Sequence, residues 1–169
     1  MKKIVSVIAV AFVSMLVANH AQAQMKVGFI SLGELIGSMP ESKKADTAFN
    51  DYRVSLQQQL AEYQNEYYEQ DSLLRTKDTL KFTKPQLEVK RRNLLDLQIK
   101  IQGFNDQAQQ AMQQKQQELL APIQKKALDA VQAVAKENGY NYVMSKEALY
   151  VSPPGDDLMA LVKRKLGVK

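Results

Sequence analysis

Between Pro85 and Gly139 the chain carries one internal glycine, Gly103, and one internal proline, Pro122, and its apolar residues recur at a spacing only a helix explains. Leu87, Leu94, Leu97, Ile101, Phe104, Ala108 and Ala111 fall seven, three, four, three, four and three apart, the a/d repeat of a coiled coil. A helix over this stretch would reach roughly 80 Å at 1.5 Å per residue, more than twice the diameter of a compact domain of this size. It cannot bury itself and requires a partner.

The preceding stretch supplies one. After Pro40 a helix can start with Ser42 as its cap, and Phe49, Tyr52, Leu56, Leu60, Tyr63, Tyr67 and Leu74 are again spaced by threes, fours and one seven. In an antiparallel hairpin, facing residues have numbers that add to a constant. Phe49 with Ala111, Tyr52 with Ala108, Leu56 with Phe104, Leu60 with Ile101, Tyr63 with Leu97, Tyr67 with Leu94 and Leu74 with Leu87 give 160 or 161, and Asp71 falls opposite Lys90. The spacing predicts a hairpin over 42–118 with its tip near 76–84 and its turn centred near residue 80. Thr83 and Gln86 fit a capping box, with Pro85 in the first helical turn. Each arm is then about 34 residues, or roughly 50 Å.

The remainder, 24–41 plus 119–169, reads as a small β-containing body. Met25 to Ile30 form a short strand, Ser31 and Glu34 make the S-x-x-E box of a helix from Leu32 to about Met39, and Pro40 ends it. Leu119, Ile123, Leu128, Val131 and Val134 carry the long helix's apolar stripe to an Asn138-Gly139 stop, with Pro122 expected to kink or interrupt it. Tyr140 to Met144 and Ala148 to Val151 are expected strands, Pro153-Pro154-Gly155 ends them, and Asp156 or Asp157 caps a last helix with Leu158, Leu161, Val162 and Leu166 on its apolar face. The fold class is mainly α with a small β body, from which a long antiparallel coiled-coil hairpin projects. So small a body is marginal as a single core, and self-association is expected to bury Val27, Phe29, Tyr142, Val143, Leu149 and Val151.

The chain begins Met1-Lys2-Lys3, continues uncharged from Ile4 to Ala18 and then reads Ala21-Gln22-Ala23, the pattern of a secretory signal peptide cleaved after Ala23. Fifteen apolar residues fall short of the roughly 20 that span a bilayer, so export of a soluble mature chain is expected. The sole histidine, His20, lies in that segment, and the sequence has neither cysteine nor tryptophan. The mature chain therefore lacks the commonest general base, the thiol nucleophile and the best transition-metal ligands, and no glycine-rich loop or convergent cluster accompanies its carboxylates. Neither an enzyme nor a cofactor or metal site is expected. Of 23 basic residues, losing Lys2 and Lys3 leaves 21 against 18 acidic ones, a charge near +3, which suits weak attraction to acidic partners rather than nucleic-acid binding.

Two surfaces of the hairpin bear on binding. Val54, Tyr68, Leu73, Val89, Leu95, Ile99 and Met112 lie off the seam without a partner inside one hairpin; they either thicken it or offer a surface to another chain. Arg75, Lys77, Lys81, Lys84, Lys90, Arg91 and Arg92 gather at the distal third with few acids beside them, as a solvated helix end or as a site for acidic groups. Eight of the sixteen residues from Gln102 to Gln117 are glutamine and read as a polar helix surface.

The leader, the strand followed by Ser31-Leu32-Gly33, the Met39-Pro40-Glu41 break, the glutamine-rich hairpin, the stretch from Ala135 to Val143 and the segment from Asp157 to Gly167 resemble, in order and spacing, the Skp/OmpH family of periplasmic chaperones. The resemblance covers the whole mature chain. It implies a periplasmic homotrimer, independent of ATP and metal, whose helical tentacles enclose unfolded outer-membrane β-barrel proteins and hold them from aggregating before insertion. The family is also associated with binding of anionic lipid or lipopolysaccharide, although its residues for that do not match one by one here, and the basic tip is the candidate for such transient contact. A structural coiled-coil adaptor of the envelope is the alternative reading.

Overall fold

The computed structural model describes residues 25–76 and 80–168, so the leader over 1–23 and Lys77 lie outside the described residues. Strand β1 (Val27–Ile30) leads into helix α1 (Leu32–Ser38), the two arm helices α2 (Pro40–Arg75) and α3 (Lys84–Glu137), strand β2 (Tyr142–Ser145), two single 3₁₀ turns and helix α4 (Met159–Leu166). The small sheet pairs β1 with β2 in parallel, Val27 against Tyr142 through Ile30 against Ser145. Asp157 bridges to Phe29, and the Leu158 N–H donates to the Phe29 carbonyl at 3.0 Å.

Local signals set most boundaries. The Ser31 hydroxyl accepts from the Glu34 N–H at 3.2 Å, as its spacing predicts, but the return half of the box is absent because Glu34 faces Lys146 instead, at 3.7 Å. Ser42 is not the cap of α2: Pro40 opens the helix one turn earlier behind an extended Met39, the conformation that a following proline favours. The Ser42 hydroxyl instead donates back to the Ile36 carbonyl, which also accepts the Met39 N–H at 3.0 Å, so two donors tie off the end of α1. At the distal end the Thr83 N–H donates to Gln86 Oε1 at 2.8 Å, the expected capping box. Gly139 supplies the left-handed turn that ends α3, at φ 71°. Asp157, rather than Asp156, caps α4 by accepting the Met159 N–H at 2.8 Å.

Three expectations are corrected. Of the expected kink or interruption at Pro122, the interruption is absent: α3 is one helix from Lys84 to Glu137, and the exposed position there lets water meet the carbonyl that proline cannot serve. Residues 148–151 form no strand: Lys146–Ala148 make a 3₁₀ turn directly after β2, and beyond it Tyr150 and Val151 are almost wholly exposed, 106% and 88%, paired with neither β1 nor β2. The third correction is the hairpin's register. The expected seam residues do turn inward, and Leu97 and Phe104 are buried. Yet Tyr63 meets Phe104 edge to face at 6.1 Å, the Lys115 ammonium sits 5.9 Å from the Tyr52 ring, and Lys126 pairs with Glu41. Each of these pairs adds to 167, so the arms are displaced by one heptad from the expected 160.

The displacement shows at the tip. A constant of 167 sets the end of α2 level with Arg92, leaving the first two turns of α3 beyond it. On this overhang Phe82 lines a shallow pocket with Pro85, Gln86, Val89 and Lys90, and the Lys90 ammonium lies 4.8 Å from the centre of its ring. Asp71 consequently bonds Arg75 at 2.9 Å and not Lys90.

The core sits where arm and sheet join. Leu35, Met39, Leu158 and Val162 are fully buried, packed with Ile30, Ala45, Ile123, Ala127, Val131 and Val134. Gly28 is required by close approach, since a Cβ there would fall 2.2 Å from Leu158 Cδ1 and 2.9 Å from the Tyr140 ring.

Glu147 fastens the sheet to α1. Its carboxylate accepts from the hydroxyls of Ser145 and Ser31, and these bonds, with a backbone bond, hold its pKa at about 2, below the ordinary 4.5. A depressed folded value stabilises the fold above about pH 4.5, and the effect disappears as pH falls towards 2. In thermal melts, Glu147→Gln is expected to show a smaller loss of Tm between those pH values than the unaltered chain. An equal loss in both would remove this role.

Candidate binding surfaces

Of the seven off-seam apolar residues, six are exposed on the arms: Val54, Tyr68, Leu73, Val89, Leu95 and Ile99, between 38% and 68%. Met112 is half-buried at the margin of the seam. Leu95 and Ile99, one turn apart, fall on the side of α3 turned away from α2, because 3.6-residue periodicity sets them opposite the seam positions Leu94, Leu97 and Ile101. The hairpin is two helices thick, so it has no second layer to cover such residues.

The basic residues at the tip split into two groups. Arg75 is engaged by Asp71, whose hydrogen bond raises the guanidinium's pKa further above its ordinary range, and Lys90 lies over Phe82. Lys84, Arg91 and Arg92 are exposed on the first turns of α3, and Lys81 stands in the short turn before it. The overhang brings Arg75 and Arg92 to one level, concentrating positive charge there.

On the body, the residues named for association fall into unlike positions. Phe29 is already covered within the chain, at 4%, while Val143 and Leu149 are half-buried and Val27, Tyr142 and Val151 are exposed. Beside the outer edge of β2 runs a groove of about 620 Å³ floored by Ile30, Val131 and Val143 and walled by Leu128, Tyr140 and Tyr142. Leu128 and Met144 on this face are expected from sequence only as a stripe residue and a strand residue, and not as part of a binding surface. Leu128 lies on the same helical stripe as the core residues Val131 and Val134, and Met144 only gains exposure from strand pairing.

Among the described residues no group of three or more histidine, cysteine or carboxylate side chains could hold a metal ion. No described helix is long and apolar enough to cross a membrane.

A family model described as Outer membrane protein (OmpH-like) matches residues 26–166, the strand, both arms and the terminal helix together. The chain belongs to the OmpH-like family. Its fold is that of a solved structure from Caulobacter crescentus, a candidate OmpH-like outer membrane chaperone, with a TM-score of 0.68. That likeness covers 88% of this chain and 87% of the other at 18% sequence identity, so the OmpH-like architecture persists where most side chains differ. The comparison with curated proteins gave no match. In OmpH-like terms the hairpin and the β-containing body described above are the family's two parts.

Proposed function

We propose that this chain is a periplasmic holdase chaperone, independent of ATP and without enzymatic activity, that binds unfolded outer-membrane β-barrel proteins and keeps them from aggregating before insertion. The observation that carries the reading is the row of exposed apolar side chains along the arms, Leu95 and Ile99 above all, on a scaffold too thin to cover them. An unfolded barrel exposes many apolar strand segments that associate with one another; numerous weak contacts along two long helices compete with that association without demanding one bound shape. Family membership and the likeness to a candidate OmpH-like outer membrane chaperone support the same reading. In it, the leader over 1–23 directs export, copies of the chain associate through the bodies as a trimer, and the basic tip makes transient contact with anionic lipid or lipopolysaccharide.

The test is light scattering as a urea-unfolded outer-membrane β-barrel is diluted into buffer with and without a small molar excess of the mature chain, nucleotide being absent. Suppressed scattering, with a soluble complex that forms only with the unfolded barrel, is expected. Leu95→Ser with Ile99→Ser should weaken suppression several-fold while leaving the helical circular dichroism intact, since both residues are more than half exposed. Scattering unchanged over a range of concentration and salt would redirect the function to a coiled-coil adaptor with one folded partner.

A further inference from the structure

Midway along the arm lies a slot of about 240 Å³ between the helices, lined by Gln64, Tyr67 and Tyr68 from α2 and Gln98, Ile101 and Gln102 from α3. Tyr67 and Ile101, both seam residues, form its floor; Gln64 and Tyr68 on one side and Gln98 and Gln102 on the other are pairs four apart that stand as its rims. Tyr68 is 68% exposed and lies edge to face against Tyr67 at 5.9 Å and 79°, so a large ring covers little of its own chain.

Two properties narrow what the slot can take. None of its six lining residues is an acid, a lysine or an arginine, so it matches an uncharged segment. The amides of Gln64, Gln98 and Gln102 make no side-chain hydrogen bond among the described residues, whereas Gln58, Gln59 and Gln70 on the same hairpin each bond a neighbour. Uncommitted amides carry both donors and acceptors, the complement of a backbone whose N–H and C=O groups have not yet paired. The space equals that of about eight waters at ~30 Å³ each, room for one ring and the backbone that bears it.

We propose that this slot is an aromatic subsite, in which a tyrosine or phenylalanine of an unfolded chain stacks against Tyr68 and Tyr67 while the rim glutamines bond the flanking backbone. The subsite rests on the holdase reading and deepens it: it gives the arm a preference for aromatic residues among otherwise equivalent apolar ones.

The experiment uses the mature chain and two fluorescent peptides, identical uncharged extended sequences with either phenylalanine or leucine at the centre, with affinity read by anisotropy. The unaltered chain is expected to bind the phenylalanine peptide about fivefold tighter. Tyr68→Ala and Gln98→Ala should each bring the ratio close to one, and Tyr68→Phe should preserve it. A ratio near one in the unaltered chain, or a preference that survives Tyr68→Ala, would overturn the subsite. Light scattering with the unfolded barrel, run on the same variants, separates the two readings. Suppression without aromatic preference removes the slot and keeps the holdase; aromatic preference without suppression does the reverse.

Discussion

Leu158→Ala is expected to lower the stability of the body by about 3 kcal/mol, the middle of the range for a fully buried leucine whose cavity cannot collapse. Leu158 is 0% exposed, its N–H closes the bridge to Phe29, and its Cδ1 fills the space left by the missing side chain of Gly28. It belongs to one close-packed cluster with Leu35, Met39 and Val162, all fully buried, and Gly28 has no side chain to offer, so little can move in to fill the gap. In so small a body that is a large fraction of the whole. Denaturant unfolding followed by circular dichroism measures it, with Tyr150→Ala, at a fully exposed position, as the control expected to change stability by less than about 0.5 kcal/mol. A cost for Leu158→Ala below about 1 kcal/mol would show that the body is looser than its packing indicates.

The second large effect belongs to the arm. Phe104 is 7% exposed and meets Tyr63 edge to face, so Phe104→Ala should destabilise the hairpin by about 3 kcal/mol. A double-mutant cycle also decides the register. Tyr63→Leu combined with Phe104→Ala should show coupling of about 1 kcal/mol. Leu56→Ala with Phe104→Ala, the pair that the sequence arithmetic favoured, should be additive. Coupling to Leu56 and none to Tyr63 would restore the unshifted hairpin.

That register shows where sequence reasoning stops. Which residues face inward follows from periodicity, and every expected seam position is covered to some degree. A heptad pattern slid by seven residues reproduces itself, so periodicity cannot separate two alignments one heptad apart. The offset leaves an overhang at the tip, where Phe82, with the Lys90 ammonium over its ring, precedes the helix and has no periodic signature. The expected strand at 148–151 failed for a related reason. Ala-Leu-Tyr-Val has strand propensity, but propensity acts only through pairing, and the 3₁₀ turn at Lys146–Ala148 is followed by residues that pair with neither β1 nor β2. Caps were legible because they depend on residues within one turn: Thr83 with Gln86, Asp157 with Met159, Gly139 at its stop. Even there, Glu34 turned to Lys146, which only tertiary structure brings near, and Ser42 bonded back across the α1–α2 break to Ile36. Of the binding surfaces, the exposed apolar residues could be named in advance as leftovers from the seam. The glutamine-rimmed slot could not, because it takes residues from both arms and depends on the register between them.

The parallel pairing of β1 with β2 has a consequence for how the chain reaches its final form. Lys26 and Asn141, bonded at 2.9 Å beside the sheet, are separated by 115 residues. Closing a flexible loop of that length costs roughly 4 kcal/mol in chain entropy, whereas closing the tip first costs roughly 2. Once the tip is closed, each further turn of the arms adds local contacts and draws the two ends together, until Glu41 and Lys126 meet at the root. The arms are therefore the route by which a sheet of very high sequence separation forms through a succession of short steps. The first strand to be synthesised must wait for nearly the last, and its edge stays open until the hairpin has closed from tip to root.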